Sequence, residues 1–190
     1  MKILLTAVGW AIAMGLGTFF FILSSMAYQV SASDRMLQLT FYGLTTGILG
    51  GLSIALVMLW SQPTIKWHIS LLFIIIWSIA LFVGGRIGWH IIQPDFTSGA
   101  MTRGVIIGMT IGAMLGGFFT ALVLQQRRLL VPWMDVFFVA LGWTVAIFSG
   151  FALIFFSADI IPMGIIFVPI IGGLLTGTIG SSIMFWKMHS

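Results

Sequence analysis

The sequence predicts an all-α integral membrane protein, with six transmembrane helices arranged as three parallel-oriented two-helix hairpin repeats in a pseudo-threefold bundle. Three observations lead to this fold class: a strongly apolar composition, six long apolar runs joined by short polar segments, and a pair of motifs that occurs three times. We treat residues 1–190 as a single transmembrane domain, with internal repeats 1–62, 63–128 and 129–190.

The composition excludes a water-soluble globule. Hydrophobic residues make up 60% of the chain, charged residues only 6%, and the mean hydropathy is +1.18, whereas soluble domains contain roughly 25% charged residues. The chain has no cysteine, which excludes thiolate metal sites and thiol catalysis. Its lysines and arginines are scattered at helix ends instead of forming a stripe, so we expect no nucleic-acid partner despite the net charge of +4.

Six apolar runs are each long enough to cross the hydrocarbon core, which requires about 20 helical residues. They are continuously apolar, whereas barrel strands would alternate over about ten residues. The connections are short, so consecutive helices should be antiparallel neighbours. Because the first run exceeds the roughly 7–15 apolar residues of a signal peptide, we expect it to be a span. The predicted spans lie near 3–28, 38–60, 67–92, 104–125, 132–157 and 163–186.

The distribution of basic residues predicts that both termini are cytoplasmic. Lysine and arginine accumulate in the cytoplasmic segments of membrane proteins. The end that holds both termini carries five of them and the opposite end three: Lys2, Lys66, Arg127, Arg128 and Lys187 against Arg35, Arg86 and Arg103. Tryptophans that favour the membrane interface agree with this orientation, because four of them lie at the end with the termini: Trp60, Trp67, Trp133 and Trp186.

The first repeated motif occurs in the odd-numbered spans, at spacings of 67 and 66 residues. It consists of a tryptophan, a small residue, a β-branched residue, an alanine, three variable positions and a glycine. Its three copies are Trp10-Ala11-Ile12-Ala13 with Gly17, Trp77-Ser78-Ile79-Ala80 with Gly84, and Trp143-Thr144-Val145-Ala146 with Gly150.

The second motif is glycine-rich and occurs in the even-numbered spans, at spacings of 66 and 60 residues, starting at Thr46, Gly112 and Gly172. Small residues four positions apart lie on one helix face and permit close approach of two backbones. We expect the odd-helix face that carries each motif tryptophan and glycine to pack on the small-residue face of an even helix that bears Gly51, Gly117 or Gly177. The predicted helix-packing residues are Trp10, Gly17, Gly47, Gly51, Trp77, Gly84, Gly112, Gly116, Trp143, Gly150, Gly173 and Gly177.

The motif tryptophans lie too deep for the membrane interface. Trp77 and Trp143 follow the interfacial tryptophans of their own spans by ten residues, which is about 15 Å of helix. We expect all three to fill equivalent spaces in the bundle, with Ser78, Thr144 or backbone carbonyls accepting their indole N–H groups. Stacking on a ligand is the alternative.

Ionisable residues within spans are candidate functional sites. Arg86 and His90 share a helix face at i, i+4 and Asp95 follows them, so the three form a candidate polar cluster for an anion or a headgroup. The alternative is that Arg86 only extends its side chain to the interface. His68 and His90 are separated by about 33 Å of helix and cannot share a haem. We therefore expect no cofactor and no metal, with a single histidine bound to a pigment left open.

The spans contain no phosphate-binding loop, zinc motif or nucleophile with a matched base, so we expect no enzymatic activity. We favour a non-enzymatic subunit or scaffold that packs through its glycine-rich helix faces against itself or other membrane proteins, with the lipid bilayer as its environment. The alternative is a transporter or channel for small solutes or ions, with a path near the pseudo-threefold axis.

Overall fold

The computed structural model describes residues 1–27, 32–62, 65–92, 98–130, 132–157 and 164–188. This part of the chain forms six α-helices, each long and apolar enough to cross a membrane, which confirms the predicted six-span, all-helical architecture. The chain is therefore a multi-pass membrane protein. The helices are α1 Lys2–Ala27, α2 Ala32–Ser61, α3 Trp67–Ile92, α4 Ser98–Gln126, α5 Trp133–Ser157 and α6 Gly164–Lys187.

Two helices extend well beyond the apolar runs that predicted them. The runs begin near residues 38 and 104, whereas α2 starts at Ala32 and α4 at Ser98. The residues that these helices add at their starts include Ser33, Asp34, Ser98 and Thr102, which are more polar than the apolar runs. A helix satisfies its own backbone hydrogen bonds and does not have to end at the lipid boundary, so hydropathy located the spans better than the helix starts.

The six helices form a closed ring. Each one packs mainly against the helix before it and the helix after it, and α6 packs against α1. Lys2 at the start of α1, Trp60 near the end of α2 and Phe185 near the end of α6 line one pocket. The start of α1 and the end of α6 therefore lie at the same end of the bundle.

The connection between α4 and α5 begins with a tight turn. Arg128 has a φ of 58°, in the left-handed region that often ends helices. The N–H of Leu129 then donates to the carbonyl oxygen of Leu124 at 2.9 Å, which satisfies one of the last carbonyls of α4. This turn carries the buried Leu130 back towards the bundle and leads the chain into α5.

Candidate functional site

Three tryptophans meet inside the ring. Trp10 of α1, Trp77 of α3 and Trp143 of α5 are all fully buried. Their ring centroids are 5.0 Å apart between Trp10 and Trp77, 4.9 Å between Trp77 and Trp143, and 5.2 Å between Trp10 and Trp143. Edge-to-face and tilted contacts at such distances are favourable. The motif spacing predicted equivalent depths, but it did not predict that the three rings pack on one another as a tryptophan cluster.

Fully buried side chains flank the tryptophan cluster on both sides. The residues four positions before the tryptophans are Thr6, Phe73 and Val139. Those four positions after them are Met14, Leu81 and Ile147. Four residues are about one helical turn, or 5.4 Å, so these layers and the cluster fill about 11 Å of the interior along the helix axes. Each indole therefore packs within the protein core.

Each indole of the cluster rests on a glycine of the next helix along the chain. A methyl group on Gly50 would lie 2.7 Å from the Trp10 ring, one on Gly116 would lie 2.9 Å from the Trp77 ring, and one on Gly180 would overlap the Trp143 ring. The 60-residue spacing of the motif would have put Thr176 beneath Trp143, whereas Gly180 lies there, four residues further on. Gly180 was missed because it belongs to neither motif.

Only one of the three indoles has a hydrogen bond within the described residues. Nε1 of Trp77 donates to Oγ1 of Thr120 at 3.1 Å. The predicted acceptors, Ser78 and Thr144, donate instead to carbonyl oxygens four residues earlier in their own helices, at 2.6 and 2.8 Å. That prediction was wrong because a serine or threonine inside a helix has this carbonyl always within reach. Thr120 lies one turn after Gly116, but the sequence pattern does not show which turn of α4 faces Trp77.

The indole N–H groups of Trp10 and Trp143 are buried and have no hydrogen-bond partner among the described residues. The rings of Trp143 and Trp77 meet their glycines through the same three atoms, Cδ2, Cε3 and Cζ3. In the second hairpin Thr120 follows the supporting glycine by four residues, whereas in the third the corresponding residue is the fully buried Met184. A thioether, which is a weak acceptor, thus occupies the position of a hydroxyl group.

The glycine-rich faces of the even helices pack against the following helix of the ring. A methyl group would lie 2.8 Å from Cα of Ile74 if placed on Gly51, 3.1 Å from Cα of Ala140 if placed on Gly117, and 2.5 Å from Cα of Ala7 if placed on Gly177. Each of these partners lies three residues before a motif tryptophan. The contacts join α2 to α3, α4 to α5, and α6 to α1.

The same helix faces make a second set of close backbone contacts one turn away. A methyl group on Gly47 would lie 2.8 Å from Cα of Ser78, and one on Gly173 would lie 2.5 Å from Cα of Ala11. Both partners directly follow a motif tryptophan. Backbones that approach this closely leave no room for a larger residue, and such contacts stabilise helix pairs in lipid.

The motif glycines of the odd helices contact the even helix of their own hairpin. A methyl group on Gly17 would lie 2.6 Å from Oγ1 of Thr46, one on Gly84 would lie 3.2 Å from Cα of Gly112, and one on Gly150 would lie 2.8 Å from the carbonyl oxygen of Gly172. These are contacts within one hairpin. Each even helix thus packs one face against the odd helix of its own hairpin and another face against the odd helix of the next hairpin. Glycine spacing alone does not reveal this division.

The candidate polar cluster is described only in part. Nη1 of the half-buried Arg86 donates to the sulfur of Met36 at 2.9 Å, and His90 is exposed. Asp95 lies outside the described residues, so the cluster stays a prediction. The hydrogen bond to Met36, on α2, holds the guanidinium in the groove between α2 and α3.

The end of the bundle that holds the start of α1 and the end of α6 contains an ion pair. Nζ of Lys187 lies 2.9 Å from Oδ1 of Asp135, and both side chains are largely buried. The ammonium group also lies 4.8 Å from the ring centroid of Phe138 and 4.6 Å from that of Trp186, within the range of cation–π attraction. Asp135 is in the first turn of α5, where the helix dipole favours a carboxylate. The cation that pairs with Asp135 comes from the end of α6.

Among the residues that the structure describes, no group of three or more histidine, cysteine, aspartate or glutamate side chains is placed to hold a metal ion. No protein-family model, curated protein or solved structure matches this chain. The functional interpretation therefore depends on the packed centre of the ring, its outer surface and its charged end.

Proposed function

We propose that this membrane protein is a non-enzymatic subunit or scaffold, built from three hairpin repeats (1–62, 63–128 and 129–190) around a pseudo-threefold axis. The observation that carries the proposal is the tryptophan cluster with its two buried flanking layers. A translocation path along this axis would need polar groups or a hydrated constriction, whereas the axis is filled by three indoles in mutual contact. The filled axis weighs against the transporter or channel alternative.

The repeat organisation is supported by three matching contacts between hairpins. Gly51, Gly117 and Gly177 each approach the backbone three residues before the next motif tryptophan in the ring. The third contact joins the last helix to the first, as a cyclic arrangement requires. The one-turn offset at Gly180 marks where the third hairpin departs from the pattern of the other two.

Partner contacts in this proposal use the outer surface of the ring. The glycine-rich faces pack within the chain, so they are not free to receive another protein as the sequence suggested. Large apolar side chains point outward on all six helices, for example Phe137 and Leu141 of α5, which are 62% and 58% exposed. Lipid is their default neighbour, and a second membrane subunit or another copy of this chain would bind by displacing it.

The scaffold role is tested by the composition of the complex after purification in a mild detergent. Native mass spectrometry should find the chain bound to itself or to another membrane protein. A monomer that carries a co-purified small ligand would contradict the proposal and support the translocator. In parallel, liposomes containing the purified chain should show no more potassium or proton flux than empty liposomes, and a clear excess would show that the axis opens.

We also propose that both termini are cytoplasmic, as the basic residues indicate. A C-terminal reporter that is active only outside the cytoplasm should be silent. The matched control carries the same reporter in the connection between α1 and α2 and should be active. The reverse pattern would place the end with Lys2 and Lys187 outside.

A further inference from the structure

An open pocket of about 580 Å³ lies at the end of the bundle that holds the start of α1 and the end of α6. It is formed where α1 begins and where α2 and α6 end, at the boundary of the candidate membrane spans. Its lining residues are Met1, Lys2, Ile3, Trp60, Ser182, Phe185 and Trp186.

Several side chains that line this terminal pocket can donate hydrogen bonds. The ammonium group of Lys2 lies 5.7 Å from the ring centroid of Phe185, which holds it over the pocket. Trp60 and Trp186 are 60% and 63% exposed, so their indole groups are accessible at the rim. Ser182 adds a hydroxyl group, and none of the described residues that line the pocket carries a carboxylate. An ammonium, indole N–H groups and a hydroxyl together suit an anionic oxygen ligand.

The charge of the surrounding surface agrees with an anionic ligand. Lys66, Arg127 and Arg128 lie at the same end of the bundle as the terminal pocket. The carboxylate of Asp135 is paired with Lys187, so it is already neutralised by a cation. Clusters of basic residues at the membrane surface attract anionic lipids.

We propose that the terminal pocket binds the phosphate headgroup of an anionic phospholipid. A lipid is favoured over free phosphate because the pocket opens onto apolar surface. Ile3 lines it, and Leu56 and Leu59 are exposed on the same end of α2. Acyl chains lie along this surface while the phosphate reaches Lys2, and tryptophans at the rim sit at headgroup level. This binding does not depend on the scaffold role.

Titration of the purified protein in neutral detergent, followed by native mass spectrometry, tests the proposal. The probes are phosphatidylglycerol and phosphatidylcholine with identical acyl chains. One phosphatidylglycerol should bind about fivefold more tightly than phosphatidylcholine, the effect of about one lysine at a lipid surface. Lys2→Gln should remove this preference and Lys2→Arg should keep it. The matched control is Lys66→Gln, which removes the same charge at the same end but outside the pocket, and it should bind like the wild type.

A second variant separates the shape of the pocket from its charge. Ser182→Leu keeps every cation but fills the pocket, and it should lower phosphatidylglycerol binding while thermal unfolding shows a folded bundle. Equal losses in Lys66→Gln and Lys2→Gln would show general surface attraction and overturn the site. The absence of a phosphatidylglycerol preference would do the same. Displacement of the lipid by millimolar inorganic phosphate would assign the pocket to free phosphate and contradict a lipid ligand.

Discussion

The second and third hairpins support the rings of their motif tryptophans in the same way but differ in the hydrogen bonding of the indole N–H. Trp77 rests on Gly116 and donates to Thr120, whereas Trp143 rests on Gly180 and has no hydrogen-bond partner among the described residues. Ring position is thus determined by a glycine and by the neighbouring indoles, since both rings reach the same cluster. The hydrogen bond depends on one further side chain, a turn along the supporting helix.

The energies of these interactions explain why ring packing outweighs the missing hydrogen bond of Trp143. Interhelical hydrogen bonds in membranes contribute on average about 0.6 kcal/mol and at most about 1.7 kcal/mol. Aromatic pairs contribute about 0.5–1.5 kcal/mol beyond the area they bury, and Trp143 makes two such contacts, to Trp10 and Trp77. An unpaired indole N–H is therefore tolerable where the ring itself packs well.

The largest effect should come from removing a supporting glycine. Gly116→Leu forces a side chain into the Trp77 ring and should lower the free energy of unfolding by about 3 kcal/mol or prevent folding, because overpacked side chains force backbone shifts. Gly180→Leu should have an effect of the same size beneath Trp143. Thermal unfolding in detergent measures both variants.

Met114→Leu is the control for these glycine variants. Met114 is on the same helix as Gly116 but is 49% exposed, so its replacement should cost less than about 1.5 kcal/mol. If Gly116→Leu and Met114→Leu unfold at the same temperature, the rings do not rest on their glycines and the comparison of hairpins fails.

A smaller effect should follow from Thr120→Val, which keeps the shape of the side chain and removes the acceptor of Trp77. We expect a loss of about 0.6–1.7 kcal/mol. The same change at Thr110, which has no hydrogen-bond partner among the described residues, is the control and should be close to neutral. Thermal unfolding in detergent measures both threonine variants.

The smallest effect should come from supplying the missing acceptor in the third hairpin. Met184→Thr and Met184→Val both lose packing volume, but only the threonine can accept from Trp143. The threonine variant should therefore be more stable than the valine variant by about 0.6 kcal/mol. Equal stability would mean that residue 184 does not correspond to Thr120, and that the third hairpin differs in register as well as in chemistry.

The sequence predicted individual helices better than the contacts between them. Hydropathy identified six spans, and the motif correctly indicated that Trp10, Trp77 and Trp143 are buried. It did not identify Gly180, because a glycine-rich helix offers equally spaced small residues on successive turns. Sliding such a helix by one turn leaves its pattern almost unchanged, so the register between helices depends on side-chain fit that the pattern does not contain.

The candidate sites show the same limit. The ion pair between Asp135 and Lys187 joins residues that are 52 positions apart, and the terminal pocket combines the first residues of the chain with some of the last. Charge counting placed these groups at one end of the bundle. Only the closed ring determines which of them touch.

The contact between α1 and α6 determines when this protein can finish folding. Spans leave the ribosome and enter the membrane in order, so α1 waits until α6 has been synthesised before Ala7 and Ala11 meet Gly177 and Gly173. During that interval the future α6-binding side of α1 faces lipid or an insertion factor. A chain that stalls before α6 presents an open arc of five helices, in which the α6-binding sides of α1 and α5 both lack their protein neighbour.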